Sequence, residues 1–115
     1  MSGILREVNI KSDMPTVDSA IKRTTYNIRN ASELGVTAIK LIHGYGSTGR
    51  GGTIRIEVRK YLERQKQRGF IKDVIPGERF SLFDDATRTA FLSCDGLRRD
   101  SDIDRHNNGI TIVII

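Results

Sequence analysis

The order of predicted elements, β-α-β-α-β with one further strand, puts this chain in the α/β class with a mixed, largely parallel four-stranded sheet. Three observations lead there. Apolar runs at 4–10, 36–42 and 70–75 have strand length and are separated by segments of helical spacing. A glycine-rich stretch, 43–52, joins the second strand to the second helix, where α/β proteins place ligands. The β-branched run 110–115 reads as a buried closing strand.

Each element has a local cause. Residues 4–10 (ILREVNI) predict the first strand. Asp13 or Thr16 can cap the helix that follows, and Pro15 sits where a missing N–H does no harm. Val17, Ala20, Ile21, Thr24, Ile28 and Ala31 then recur at helical spacing, with Gly35 as the stop. Residues 36–42 (VTAIKLI) predict a central strand. A helix is expected from about Thr53 to Arg68, with Ile54, Val58, Tyr61 and Leu62 inward and Gly69 ending it. Residues 70–75 predict the third strand, closed by Pro76-Gly77. Asp84 or Asp85 caps a short helix through Cys94 that packs by Ala86, Ala90 and Phe91. Polar, turn-rich 95–109 predicts a loop.

The 115 residues suit one domain, 1–115, and the single Cys94 has no partner for an internal disulfide. No apolar run approaches bilayer length and no secretory h-region precedes the first strand, so the expected location is the cytoplasm, without a membrane partner. The formal charge is +5, and residues 50–68 hold seven basic side chains against two acids. That one stretch carries the whole excess, the footprint of a phosphate-backbone partner. A solvated helix face is the competing explanation.

Residues 43–52 (HGYGSTGRGG) contain five of the eleven glycines. Free backbone N–H groups at a helix start attract anions, and Arg50 and Arg55 would strengthen the site. The stretch satisfies G-x-G-x-x-G, but the chain is too short for a dinucleotide fold. It approaches the Walker A loop, but has Arg50 where lysine is required and Gly51 where the magnesium-binding hydroxyl belongs, which excludes an ATPase.

Leu41-Ile42-His43-Gly44-Tyr45-Gly46, then Gly52-Thr53-Ile54-Arg55, then Val58 and Leu62 on a basic helix, resemble the Smr (small MutS-related) domain family. The resemblance covers roughly residues 5–75 and 109–115. It implies a two-layer sandwich like the C-terminal domain of bacterial translation initiation factor three. It also implies DNA or RNA binding, often with nicking endonuclease (hydrolase) activity. The family's L-D-x-H-like motif on the first strand is matched by Val8-Asn9-Ile10-Lys11, which lacks both its acid and its histidine. Residues 78–108 read as an insertion before the last strand, able to carry a protein partner or act as a lid.

Binding through the loop and the basic helix is therefore the expected function. An endonuclease with His43 as catalytic residue is the alternative, and a protein-interaction module the third. The candidate phosphate contacts are Lys11, Gly44, Tyr45, Gly46, Gly49, Arg50, Gly52, Arg55, Arg59 and Lys60. His43 could act as acid or base, bond a phosphate oxygen, or simply organise the loop through a backbone carbonyl. Tyr45 could stack on a base or pack on the next helix. Asp100, Asp102 and Asp104 lack the glycine and distal glutamate of a calcium loop, and His106 lies among polar residues, so all four are expected to be solvated. No residues have zinc spacing. Whether a divalent metal takes part is left open by the sequence.

Overall fold

A computed structural model describes residues 3–13, 16–45 and 50–115, with the backbone alone at 50 and 51. The elements run β1 (Ile4–Asn9), α1 (Val17–Ala31), β2 (Val36–Ile42), α2 (Arg50–Gln67), β3 (Asp73–Pro76), α3 (Asp85–Ser93) and β4 (Ile110–Ile114). Short 3-10 turns occupy Gly77–Arg79 and Asp95–Arg99. The sheet order is β1-β2-β4-β3. β1 and β2 are parallel, and β4 is antiparallel to both β2 and β3. Three strands thus run one way and β4 returns between two of them, which gives the expected mixed α/β sheet.

This topology gathers the functional segments. Thr111 pairs with Leu41 and with Pro76, so β4 begins where β2 and β3 end. Asn9 pairs with Ile42 at the same end. The residues after β1, β2 and β3 and those before β4 therefore meet along one rim.

Helices α1 and α2 cover one face. Ala20, Ala31, Ile54, Val58 and Leu62 are buried there against Val36, Ile39, Leu41, Val74 and Val113. Thr16 caps α1 by accepting a 3.1 Å bond from the Ser19 N–H, an interaction worth about 1 kcal/mol. The opposite face is covered too. Phe80, Ala90, Phe91, Cys94 and Leu97 pack there on Ala38, Ile75, Ile110, Ile112 and Ile114. The two-layer core thus carries a further, smaller layer. It is required because β4 is apolar at every position but Thr111, and a strand apolar on both sides needs cover on both. Asp84 is the cap of α3, accepting from the Thr87 N–H at 3.0 Å.

Three boundaries differ from expectation. α2 begins at Arg50, three residues early. β3 begins at Asp73, not at 70, because Gly69 takes φ +81° and leaves Phe70 60% exposed while the chain turns toward the sheet. Segment 95–109 is not a free loop. Lys40, in the middle of β2, is 4% exposed and bonds Asp100 at 3.0 Å and also Asp102. Burial works to lower the lysine's pKa, but the two carboxylates outweigh it and raise it. The expectation that these aspartates are solvated is corrected: they neutralise a buried cation. Asp104 is tied as well, accepting from Leu82 N–H at 3.1 Å, and His106 Nδ1 lies 3.2 Å from the Glu78 carbonyl. Among the described residues, no helix is long and apolar enough to cross a membrane.

Candidate nucleic-acid interface

His43 follows β2 at the rim and is 1% exposed. Its Nδ1 lies 3.0 Å from the Gly44 carbonyl, and its Nε2 lies 2.8 Å from Thr111 Oγ1. A carbonyl only accepts, so Nδ1 carries the proton and Nε2 accepts from the Thr111 hydroxyl. Burial, chiefly, lowers the His43 pKa to about 4, and the nearby charges of Arg59 and Arg55 add to the shift. The ring is neutral at physiological pH and fully engaged.

Thr111 is held in turn. Its Oγ1 accepts from Arg59 Nε at 3.0 Å. The same guanidinium donates to both Glu78 oxygens, at 2.9 and 2.7 Å, and to the Ile110 carbonyl at 3.0 Å. Partial burial works to raise the Glu78 carboxyl, but Arg59 outweighs it and holds the pKa below its usual value. Arg59, expected on the phosphate-gripping face, is instead turned inward. It welds α2 to the start of β4 and to the turn after β3.

The backbone beside His43 is equally constrained. His43 N–H and Gly44 N–H both donate to the Gly109 carbonyl, at 3.0 and 2.9 Å. Gly44 has φ +82°, a conformation that L side chains rarely adopt. A Cβ there would also stand 3.4 Å from Lys11 Cδ, so Lys11 lies against the loop. Lys11 leaves β1 through a turn in which Asn9 Oδ1 accepts from Lys11 N–H at 2.9 Å and Ser12 N–H at 3.1 Å. Tyr45 is 60% exposed beside Gly109. On the opposite flank Gly77 is packed so closely on Asn107 and Ile110 that a Cβ would collide with both.

Gly52 lies in the first turn of α2. Gly46, Gly49 and the Arg50 side chain lie outside the described residues, and with them most of the expected N–H anion site. Further along α2, Lys60 is exposed and 3.6 Å from Glu57, and Lys66 pairs with Asp73 at 3.0 Å. Arg55, Arg64 and Arg68 form no salt bridge among the described residues, although Arg55 acts on Glu78 from a distance. No group of three or more His, Cys, Asp or Glu side chains able to hold a metal ion occurs among the described residues.

The rim thus joins His43, Gly44, Lys11 and Tyr45, with Arg55 close enough to lower the pKa of His43. Sequence reasoning does not single out Thr111 or Glu78. A lone threonine inside the apolar run 110–115 is the available signal for the first, and Glu78 has none.

No family model and no curated protein matches this chain. Among solved structures it is similar to the Smr domain of Thermus thermophilus MutS2, with a TM-score of 0.57 and 19% identity over 95% of each chain. On that likeness the chain has the Smr-like fold.

Proposed function

We propose that this chain is a single Smr-type nucleic-acid-binding domain that holds phosphates with the His43–Tyr45 rim and the basic side chains of α2. The observation that carries this reading is the set of cations that form no salt bridge among the described residues, Arg55 and Arg64 on a helix whose start adjoins the rim and Arg68 just past its end. Lys11, Lys60 and Arg50 are proposed as further phosphate contacts. Gly44, Gly46, Gly49 and Gly52 allow the backbone to approach an anion closely. Arginines without a salt bridge suit a polymer of phosphates better than a small neutral ligand.

His43 serves here by fixing the Gly44 carbonyl and the start of the loop. Hydrolysis through its ring would require it to break two hydrogen bonds and leave a buried position. Asn9 and Lys11 stand where the resemblance implies an acid and a histidine, and neither is a ready base. The test is a panel of labelled DNA and RNA structures, assayed for binding and cleavage with and without magnesium or manganese. Binding without cleavage is expected for wild type. Asn9→Asp with Lys11→His should raise cleavage with modest change in affinity. Metal-dependent turnover by wild type that disappears in His43→Ala would restore the nuclease alternative.

Residues 78–108 support a second role, association with another protein. Phe83 and Leu92 are 88% and 82% exposed on this segment. Phe83→Ser with Leu92→Ser should leave nucleic-acid affinity unchanged and remove any self-association seen by sedimentation.

A further inference from the structure

Helices α1 and α2 lie side by side and leave a cleft between their C-terminal halves. Its volume is about 440 Å³, within the range of small-molecule sites. Thr25 and Tyr61 form part of the wall, their hydroxyls bonded to each other. Ile28, Arg29, Gln65, Arg68 and Phe70 complete it. The Arg68 guanidinium lies over the Phe70 ring, 5.1 Å from its centroid, and that ring is 60% exposed. Neither Arg29 nor Arg68 has a carboxylate partner among the described residues.

A largely exposed aromatic ring, in a cleft with two guanidinium groups that form no salt bridge among the described residues, matches a ligand that is flat and anionic at once. We infer that this cleft takes an unpaired nucleotide of a nucleic-acid strand, its base stacked on Phe70 and its flanking phosphates on Arg29 and Arg68. The Thr25 hydroxyl is spent on the Ile21 carbonyl and on Tyr61, so the Gln65 amide and the Tyr61 oxygen, as an acceptor, offer hydrogen bonds to a base edge. Position supports the same occupant. Arg68 lies roughly 22 Å along α2 from Thr53, so a strand gripped at the helix start reaches the cleft within about six to seven nucleotide steps. The inference rests on the nucleic-acid reading above and narrows it to substrates that combine a duplex with unpaired nucleotides.

The test compares a labelled duplex with the same duplex carrying a short single-stranded tail, in DNA and RNA forms, with 2-aminopurine in the tail. Wild type should bind the tailed form more tightly and change the 2-aminopurine fluorescence. Phe70→Ala should lower affinity for the tailed form roughly ten-fold, the scale of one stacked base, and leave the plain duplex unchanged. Phe70→Tyr should restore both signals, and Arg29→Ala should reproduce the selective loss. Equal losses on both substrates, or none, would overturn the cleft assignment while nucleic-acid binding stands. Displacement of the tail by a polyglutamate peptide, with Phe70→Ala without effect, would give the cleft to an acidic peptide instead. Wild type that binds neither nucleic acid overturns both readings.

Discussion

His43 and Thr111 are 68 residues apart in sequence and joined by a 2.8 Å hydrogen bond between Nε2 and Oγ1. The bond has one direction. Arg59 donates to Thr111, Thr111 donates to His43, and His43 donates to the Gly44 carbonyl. Glu78 fixes the far end through both arms of the guanidinium. Four segments distant in sequence are thereby held in one arrangement around the first glycine of the loop.

A chain of this direction needs a neutral imidazole, and this gives a pH prediction. Histidine titrates near 6.5 in the unfolded chain and near 4 at position 43 in the fold. Above pH 6.5 both states are neutral and the contribution to stability is complete. Between pH 6.5 and 4 the unfolded chain binds the proton first, so stability falls, by up to about 3 kcal/mol. Glu78, Asp84 and Asp102 have lowered carboxyl pKa values, so their contributions disappear only at lower pH, below about 4.5. Urea unfolding between pH 7 and 4.5 should show the slope, and His43→Gln should flatten it.

Arg59 is expected to matter for stability before it matters for affinity. Arg59→Ala leaves Glu78 without its partner and removes donors from Thr111 and the Ile110 carbonyl. A loss of about 2 kcal/mol is expected, the scale of hydrogen bonds to charged groups. Thr111→Val should cost about 1–2 kcal/mol, because His43 Nε2 is then buried without a donor. If Arg59→Ala unfolded at the wild-type denaturant midpoint yet bound nucleic acid far more weakly, the guanidinium would belong to the interface after all.

Lys40 makes the sharpest demand on the core. Lys40→Met leaves the Asp100 and Asp102 carboxylates facing each other without the buried cation, at a cost of about 3–5 kcal/mol. The segment 95–109 should loosen first, with faster amide exchange there than in α1. Uniform exchange throughout would mean that this ion pair does not fasten the segment.

How far these features can be read from the sequence follows from their range. Elements set by local patterns are readable: the helix caps to within two candidates each (Asp13 or Thr16, Asp84 or Asp85), the alternation of strands and helices, and the buried run before Ile115. The α/β class of the sheet follows from their order. The identity of the site's supports is not readable, because Glu78–Arg59–Thr111–His43 is assembled only when β3 and β4 pair. Charge counting alone places Arg59 among the phosphate-binding residues, since a count cannot distinguish a guanidinium facing solvent from one bonded to Glu78. Lys40 carries a signal, a cation inside an apolar strand, but its partners lie 60 and 62 residues away.

The most direct measurement is the affinity for a nucleic-acid duplex as a function of salt, for wild type and for Arg55→Ala with Lys60→Ala and Arg64→Ala. Arg59 is left intact so that the fold is preserved. The variant should unfold like wild type and bind more weakly across sequences. Its log–log salt slope should flatten by about 0.7–0.9 for each phosphate it no longer neutralises. A variant that bound as tightly as wild type at every salt concentration would make the α2 cations a solvated helix face and contradict the proposed function.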